Sequence, residues 1–396
     1  MAALQGIRIL DLSNHFAGPY SCTVLADMGA EVIRVERPGG DDDRRLGHAM
    51  LNGDSTIFVS RARNKRSLTL NLETPGGRDI IHKLVKISDV VVENYGSPMS
   101  EKLEVDYETL SKIKPAIVQA SVSAFGSWGP SAGKVGFDSV IQAASGVMTF
   151  TGFPDDERPV RPQVTWVDYS TGLHLAVGIM VALWHRDKTG EGQHLEVALY
   201  DSAANLIGMQ GAFADYLVFG WDRPKTGNTV PYIYADAFKT KDGWILISCA
   251  RDGVWRRFTR AIGRPEMAAD PRFATDMQRG QNHEVIDQVV RPWVAERTVA
   301  EVGAVMEKAR VPCQKVNSIP DLVNDPHLKA RDMLLEIDYP GRGKVPVPGI
   351  AIKMFKTPGE LYRRAPLPGE HNEEILTTLL GYTADQVQSL KTQGIT

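Results

Sequence analysis

The chain has 396 residues, in which 45 lysines and arginines nearly balance 48 aspartates and glutamates, for a net charge of −3. This balance argues against a nucleic-acid-binding protein and against a polybasic membrane binder. Hydrophobic residues make up 43% and charged residues 23% of the chain, which is typical of a globular protein and excludes a disordered or fibrous one. The length predicts more than one domain.

Cysteine content and the absence of targeting signals bear on the compartment. Cys22, Cys249 and Cys313 are far apart and form no CxxC pair, which argues against a disulfide framework and against structural zinc. The chain does not open on a basic segment followed by a long apolar run, so we expect no signal peptide. The longest apolar-dominated run, 173–184, is shorter than the roughly 20 residues that a membrane span needs. We therefore expect a cytoplasmic protein.

The first 120 residues alternate β-branched runs with amphipathic helical stretches. Strands are predicted at 7–12, 31–35, 89–92 and 116–121, and helices at 19–28, 77–87 and 106–113. This alternation is typical of parallel βαβ units and predicts a doubly wound sheet. A helix over 138–146, a long helix over 168–186, a strand over 195–199 and a helix over 201–218 continue the pattern.

A second domain is predicted after a polar, proline- and glycine-containing linker at 222–227. Segments 232–238 and 244–249 predict a hairpin, and helices follow at 254–262, 283–294 and 299–309, the last with a capping box from Thr298 to Glu301. Strands at 334–337 and 345–347 and helices from 371 and 383 are expected to pack back on the first domain. The predicted fold class is α/β, with a Rossmann-like large domain at 1–220, a smaller α+β domain at 221–325 and a returning segment at 326–396.

The first predicted strand is followed by a turn of small residues that enters a helix at Ala17 and Gly18. In parallel sheets, ligands bind at this carboxyl edge of the strands. The three spaced glycines of GxGxxG are absent, so a nicotinamide dinucleotide site is not supported. A tight strand-to-helix turn without a ligand explains these residues equally well.

Cations are concentrated after the predicted strands, at Arg34, Arg37, Arg44, Arg45, Arg61, Arg63, Lys65 and Arg66. Phosphate is a natural partner of such groups. For most of them, a solvated face paired with the acidic run 41–43 is the simpler interpretation. Arg37, at the end of the second strand, is the one that we expect to bind phosphate.

Asp168 comes just before the apolar stripe of the long predicted helix. A helix amino terminus stabilises an anion, and an ionised carboxylate can act as a nucleophile. Helix capping is the commoner role of an aspartate in this position. No HExxH, no GxSxG and no metal-spaced cluster of histidine and cysteine occurs, so we expect no metal site and no α/β-hydrolase site.

Several segments together resemble the class III CoA-transferases, the CaiB/BaiF or formyl-CoA transferase-like family. In chain order they are LQGIRILD at 4–11, AGP at 17–19, LADMGAEVIRVE at 25–36, NKRS at 64–67, VENY at 92–95, FG with GP at 125–130, GFD at 136–138, Asp168 with Thr171 and Gly172, TGEGQ at 189–193 and GEH at 369–371. Each motif is short, but their order and spacing are specific.

The resemblance implies a subunit with a Rossmann-like large domain and a small domain, two such chains forming an interlocked homodimer with the active site at the interface. Asp168 matches the catalytic aspartate of the family. The positions that match its coenzyme A contacts are Arg37 at the adenosine 3′-phosphate, Lys102 near the other phosphates, Asn94 and Tyr95 along the pantetheine channel, and Ala17 and Gly18 close by. Some members carry histidine where this chain has Asn14.

The activity implied by the resemblance is transfer of CoA from an acyl-CoA thioester, such as succinyl-CoA, to a free carboxylic acid through an aspartyl mixed anhydride. Coenzyme A and acyl-CoA are then substrates, and no tightly bound cofactor is expected. Backbone amides near Asp168 and in the loop from Ala250 to Gly253 are candidates for stabilising the oxyanion.

Two alternatives remain at this stage. A 2-methylacyl-CoA racemase of the same fold also uses an aspartate at the position of Asp168, but it pairs this aspartate with a histidine base where this chain has Phe137. A phenyl ring cannot remove an α-proton. A non-catalytic CoA-binding protein would retain Arg37 and Lys102 and would not need a carboxylate at Asp168.

Overall fold

The computed structural model describes residues 1–396. Its strands are β1 (Arg8–Asp11), β2 (Glu31–Glu36), β3 (Met50–Leu51), β4 (Asp54–Ser55), β5 (Lys65–Thr69), β6 (Val90–Glu93), β7 (Val118–Ser123), β8 (Gln193–Ala198), β9 (Ala235–Lys239), β10 (Trp244–Ser248), β11 (Cys313–Lys315), β12 (Leu334–Tyr339) and β13 (Gly343–Pro348). Its α-helices are α1 (Ala17–Asp27), α2 (Thr56–Arg61), α3 (Pro75–Lys86), α4 (Ser97–Lys102), α5 (Tyr107–Ile113), α6 (Asp138–Ala144), α7 (Val147–Phe150), α8 (Trp166–Thr189), α9 (Leu199–Met209), α10 (Ala212–Phe219), α11 (Asp252–Ala261), α12 (Asp276–Gln281), α13 (His283–Ala295), α14 (Val299–Lys308), α15 (Ile319–Asn324), α16 (Pro326–Ala330), α17 (Asn372–Thr378) and α18 (Ala384–Thr392).

A six-stranded sheet with the order β5-β2-β1-β6-β7-β8 forms the centre of the larger part of the chain. Every neighbouring pair is parallel, and Leu10 of β1 lies opposite Ile33 of β2 and Val91 of β6. The chain direction across the sheet reverses between β1 and β6, which is the switch point where ligands bind in this kind of fold. The predicted parallel α/β sheet is confirmed.

Separate apolar cores cover the two faces of this sheet. One contains residues of α1 and α8, among them Cys22, Leu25, Leu175 and Ile179. The other contains residues of α3 and of α17 near the C-terminus, among them Ile80, Leu84, Ile375 and Leu376. Burial on both faces explains why the inner strands are almost uninterrupted runs of valine, isoleucine and leucine.

Close packing of α1 and α8 depends on a glycine. A Cβ atom added at Gly172 of α8 would lie 2.7 Å from the carbonyl oxygen of Ala17 and 3.0 Å from the ring of Tyr20. Because neither contact is tolerable without movement, only glycine allows this approach. The consequence is that the amino-terminal turns of α1 and α8 lie side by side.

The chain divides into two compact units. The larger comprises 1–147, 161–221 and 327–396, and the smaller comprises 148–160 and 222–326. In the smaller unit, an antiparallel sheet of order β11-β10-β9 packs its apolar side chains with those of the surrounding helices around Tyr234, Trp255 and Phe258. The Thr298 hydroxyl and the Glu301 carboxylate form the predicted capping box.

Two local predictions are corrected. The helix predicted over 201–218 is interrupted between α9 and α10 at Gly211, whose φ of 86° lies in the left-handed region. Strand β5 was not predicted, because its opening Lys65 and Arg66 have the polar character of a surface segment. All five residues of β5 are buried, since neighbouring carboxylates and the C-terminal segment cover them.

Helix α8 is long and apolar enough to cross a membrane by length and composition, and half of its most apolar window is buried inside the chain. Core helices of soluble proteins can have the same length and apolar composition. The helix is also longer than the apolar run at 173–184, since it has 24 residues.

Candidate active site

Asp168 is the third residue of α8 and is only 8% exposed. Its carboxylate makes no hydrogen bond and no ion pair, and two charged groups, on Asp138 and Arg61, act on it through space. The residue that precedes the helix, Thr165, provides no side-chain cap. Asp168 is thus a buried carboxylate that has lost much of its hydration without gaining a direct partner.

The start of α8 is capped by a different carboxylate. Asp138 Oδ2 accepts hydrogen bonds from the backbone N–H groups of Val167 at 3.0 Å and Asp168 at 3.3 Å. Its Oδ1 accepts from the Gln142 side chain at 2.5 Å. The interpretation of Asp168 as a helix cap is therefore wrong. Asp138 takes this role for α8, while in its own helix it is the first residue.

The electrostatic environment of Asp168 also differs from expectation. Burial first and the neighbouring charge of Asp138 second raise the pKa of Asp168 to about 7, against the opposing effect of the Arg61 charge. The sequence predicted that the helix amino terminus stabilises this carboxylate as an anion. That expectation is wrong, because desolvation outweighs the helix dipole when the free N–H groups are directed at Asp138.

Arg61, the last residue of α2, is a buried cation that the sequence did not single out. It is 4% exposed, its Nη2 donates to Asp43 Oδ2 at 2.9 Å, and its guanidinium lies 4.8 Å from the centre of the Phe16 ring. In the sequence, Arg61 stood out only as one of the eight cations after the predicted strands. We interpreted most of these cations as part of a solvated face.

A buried ionic network replaces this predicted solvated face. Arg34 donates to Asp43 at 2.7 Å, and Arg44 bonds Glu36 at 2.6 Å and Asp54 at 2.9 Å. The arginines are buried because each finds a carboxylate partner, which offsets part of the cost of desolvation. The prediction of a solvated face is therefore wrong for these residues.

Lys65 joins three elements beneath the site. It is fully buried, and its Nζ donates to Asp11 Oδ2 at 2.8 Å and to the Pro19 carbonyl at 2.7 Å. Lys65 is the first residue of β5, Asp11 is the last residue of β1, and Pro19 lies in the first turn of α1. One ammonium group therefore holds the entry of α1 against the carboxyl end of β1 and the start of β5.

Ala17 and Gly18 are the first residues of α1, at the carboxyl end of β1. A Cβ atom at Gly18 would lie 2.4 Å from the Ser13 hydroxyl, which itself donates to Asp11 Oδ1 at 2.5 Å. Glycine at this position is therefore required by close packing of the turn. Both residues lie beside the switch point of the sheet, where they were predicted to be.

Asn94 and Tyr95 follow β6 on the other side of the switch point. Asn94 Oδ1 accepts from the Asn14 backbone N–H at 2.9 Å, and its Nδ2 donates to the Asn14 carbonyl at 3.0 Å. This two-way amide contact fastens the turn after β6 to the turn after β1. Tyr95 packs against the second core, and burial raises the pKa of its phenol, which stays neutral.

Arg37 and Lys102 lie at the surface. The Arg37 side chain is 63% exposed and pairs with Asp41 at 3.2 Å and Asp42 at 2.9 Å. The Lys102 side chain is also 63% exposed, with Glu73 at 3.8 Å. Neither cation contacts Asp168, so any role for them concerns a part of the substrate remote from the reacting carbonyl.

Two other predicted positions have defined surroundings. Phe137 is 55% exposed, and its ring lies nearly perpendicular to the His15 imidazole, with 5.4 Å between the ring centres. In the smaller unit, Arg251 has a φ of 74° and its backbone N–H donates to the Asp276 carboxylate at 2.9 Å. The loop from Ala250 to Gly253 therefore holds a non-glycine residue in the left-handed region.

Comparison with known proteins gives this arrangement a family. The model of CoA-transferase family III matches residues 4–372. The chain is 33% identical over 395 residues to a succinyl-CoA:D-citramalate CoA-transferase from Chloroflexus aurantiacus (99% of this chain, 98% of the relative) and 36% identical over 388 residues to a succinyl-CoA:mesaconate CoA-transferase from Haloarcula hispanica (95% and 96%). The crystal structure of a CAIB/BAIF family protein from Brucella suis superposes with a TM-score of 0.84 at 33% identity, covering 96% of this chain and 99% of that one.

The chain belongs to CoA-transferase family III. The family predicted from the sequence motifs is confirmed, and the protein is a CoA-transferase for which acyl-CoA thioesters are substrates. The racemase and the non-catalytic CoA-binding protein are not supported by these relatives.

Proposed function

We propose that this CoA-transferase moves CoA from succinyl-CoA to a dicarboxylic acid and that Asp168 is its nucleophile. The observation that carries the proposal is the buried Asp168 carboxylate without hydrogen bonds, beside the switch point of a parallel sheet. The named activities of the relatives support the choice of donor and acceptor, because citramalate and mesaconate are both dicarboxylates.

The proposed reaction starts with attack of the Asp168 carboxylate on the thioester carbonyl, which forms a mixed anhydride and releases CoA thiolate. The thiolate attacks the aspartyl carbonyl of this anhydride, so that succinate leaves and an aspartyl-CoA thioester remains. The acceptor carboxylate attacks that thioester, forms a second anhydride and again releases the thiolate. Attack of the thiolate on the acceptor carbonyl gives the new acyl-CoA and regenerates Asp168.

The environment of Asp168 suits this chemistry. A carboxylate without hydrogen bonds has no bound donors to lose when it attacks, and a buried site keeps water from the anhydride. Its pKa of about 7 leaves a large fraction ionised at neutral pH. A fully solvated aspartate would be ionised more completely, but its anhydride would be exposed to hydrolysis.

Coenzyme A is proposed to bind along the carboxyl edge of the sheet. Ala17 and Gly18 present the amino terminus of α1, and Asn94 and Tyr95 line the opposite side of the switch point. Helix amino termini favour anionic groups. The two exposed cations, Arg37 and Lys102, are proposed to contact the phosphates of the nucleotide.

We propose that the active protein is an interlocked homodimer. One face of α8 exposes an apolar stripe at helical spacing: Leu173, Val177, Met180, Val181 and Trp184. A second copy of the chain is the proposed occupant, because the stripe lies on the helix that carries Asp168 and because relatives of this family are expected to be dimers. The domain boundaries of 1–220, 221–325 and 326–396 and a cytoplasmic location remain proposals. Three free cysteines are compatible with a reducing compartment.

Replacing the nucleophile tests the proposal. Purified wild-type protein incubated with succinyl-CoA and a panel of mono- and dicarboxylic acids should give new thioesters by mass spectrometry, with dicarboxylates preferred. Asp168→Ala should abolish transfer and still bind CoA, because the proposed nucleotide contacts lie elsewhere. Asp187→Ala is the matched control, since Asp187 is an exposed aspartate near the other end of the same helix. Turnover by Asp168→Ala above a few per cent of wild type would contradict the assignment.

A further inference from the structure

Glu93 is a buried carboxylate that the proposed reaction does not use. It is the last residue of β6 and is only 4% exposed. One of its oxygens, Oε2, accepts a hydrogen bond from the backbone N–H of Tyr95 at 2.8 Å, and the other, Oε1, accepts from the Ser121 hydroxyl. Burial raises the pKa of Glu93, and these two hydrogen bonds oppose that effect. They therefore offset part of the cost of burying the carboxylate.

Ser121 connects this carboxylate to the edge strand of the sheet. It lies opposite Glu93 in the register of β6 and β7, and its Oγ is 2.9 Å from Nε2 of His194 in β8. An ionised carboxylate can only accept, so the single hydroxyl proton of Ser121 is donated to Glu93 and His194 donates its Nε2–H to Ser121. The Tyr107 ring, from α5, is stacked on the imidazole with 5.8 Å between the ring centres. A chain of hydrogen bonds thus runs from an exposed imidazole to a buried carboxylate.

The chain of hydrogen bonds ends at the turn after β6. Glu93 holds the Tyr95 amide in this turn. Asn94, in the same turn, is bonded in both directions to the backbone of Asn14, which lies in the turn after β1. The turn at 94–95 is therefore held from both strands that neighbour β6: from β7 through Ser121 and Glu93, and from the end of β1 through Asn14.

We propose that Glu93 is a positioning residue for coenzyme A, which orients the turn at 94–95 while Ser121 and His194 hold its carboxylate in place. The proposal rests on the proposed binding of coenzyme A along the carboxyl edge of the sheet. Because Tyr95 engages one carboxylate oxygen and Ser121 the other, the Glu93 side chain cannot rotate without losing both hydrogen bonds. A turn that is held in one conformation before the ligand arrives loses less conformational entropy on binding.

Two measurements on the resting protein follow the turn and the ligand separately. Hydrogen–deuterium exchange of the peptide that contains Tyr95 reports on its backbone N–H, and titration calorimetry with coenzyme A gives the Kd. Glu93→Met removes the acceptor at a similar side-chain length, so it should speed exchange of the Tyr95 N–H and raise the Kd by about tenfold. Steady-state kinetics should show a matching rise in the KM for succinyl-CoA with little change in kcat, because the proposed nucleophile, Asp168, lies on a different element.

Two milder variants define which property of Glu93 matters. Glu93→Gln should stay close to the wild type in both measurements. Its amide offers an oxygen to the Tyr95 N–H and an N–H to Ser121, while the Ser121 hydroxyl and the His194 tautomer can both reverse. Ser121→Ala should change both measurements in the same direction as Glu93→Met but by less, because the hydrogen bond from Tyr95 to Glu93 remains.

Glu196→Met is the matched control. Glu196 lies opposite Ser121 in the register of β7 and β8, and its two oxygens accept from the backbone N–H of Ser127 at 2.9 and 3.0 Å. The substitution therefore removes the same kind of hydrogen bond, from a carboxylate to a backbone amide, in a different loop. Exchange of the Tyr95 N–H and the Kd for coenzyme A should both stay at the wild-type values.

Unchanged exchange of the Tyr95 N–H in Glu93→Met, or an equal increase in Glu196→Met, would overturn the proposal. If Glu93→Met does not fold, Ser121→Ala decides by the same criterion. Faster exchange with an unchanged Kd also overturns it. Asn94→Ala distinguishes that result from failure of the proposed coenzyme A site: a raised Kd in Asn94→Ala means that the turn belongs to the site, whereas a wild-type Kd means that coenzyme A binds elsewhere.

Discussion

At the scale of single residues, Asp168 is a side chain whose burial works against the stability of the fold. Its pKa is raised to about 7 by desolvation first and by Asp138 second. For an acid with a raised folded-state pKa, folding is most favourable at low pH, where the carboxyl is protonated in both states. As the pH rises from the unfolded-state pKa of about 4 through the folded-state pKa, the folded protein becomes less stable, because the buried carboxyl ionises less readily than it does in the unfolded chain.

Asp168→Asn should therefore be more stable than the wild type at pH 8. The amide is neutral at every pH and avoids the cost of a buried anion, for a gain of up to about 4 kcal/mol. Thermal unfolding followed at pH 8 and at pH 5 measures this gain, which should shrink at the lower pH. The same variant should have no transfer activity. If the melting temperature of Asp168→Asn at pH 8 equals or falls below that of the wild type, burial of the Asp168 carboxylate does not destabilise the fold.

Arg37 is a second prediction at this scale. If Arg37 binds the 3′-phosphate of coenzyme A, Arg37→Ala should raise the KM for acyl-CoA by a factor that corresponds to about 1.5–3 kcal/mol of lost binding free energy. The kcat should change little. Steady-state kinetics with CoA thioesters and with dephospho-CoA thioesters measure the effect. The wild type should prefer the phosphorylated substrate and the variant should not. Equal discrimination by both proteins would exclude this contact.

At the scale of secondary-structure elements, the position of Asp168 depends on how α8 begins. The helix starts without a side-chain cap of its own, and Asp138 at the start of α6 accepts the two N–H groups that include that of Asp168. Gly172 then allows α8 to approach α1. Helices α6 and α1 thus together fix the amino-terminal end of α8.

Removing this cap should loosen the start of α8. Asp138→Ala leaves buried N–H groups without an acceptor and should cost about 1–2 kcal/mol of stability. Chemical denaturation compares the variant with Asp138→Asn, which retains an acceptor oxygen and should lose less. In Asp138→Asn the acidic limb of the transfer rate should move to lower pH, because an anion beside Asp168 has been removed. A limb that moves to higher pH would contradict the assigned electrostatics.

At the scale of the whole molecule, α8 has two apolar faces. One packs on the sheet through residues such as Leu175 and Ile179, and the other leaves Val177, Val181 and Trp184 exposed. An exposed apolar stripe on a helix of this length is typical of an interface. It also explains why the helix resembles a membrane span by composition.

A charge placed in this stripe should separate the proposed dimer. Val181→Glu should give a monomer in light scattering coupled to size-exclusion chromatography and should lose transfer activity with it. Phe355→Glu is the control, because Phe355 is fully exposed and lies outside the stripe. A wild-type protein that elutes as a monomer would refute the dimer, and one recovered only with membranes or detergent would point to a lipid-facing helix.

The sequence by itself determined the alternating strands and helices, the parallel sheet and the family, because hydrophobic periodicity and ordered motifs are local properties of the chain. It also indicated Asp168, Ala17 and Gly18 at the starts of two helices. Tertiary structure alone decided that Asp138 caps α8, that β5 is buried and that Arg61 is buried against Asp43 and Phe16. These features depend on which carboxylate each cation contacts after folding. Arg37 and Arg61 are both arginines, yet Arg37 pairs with Asp41 at the surface, whereas Arg61 is enclosed by Asp43 and Phe16 and is removed from water.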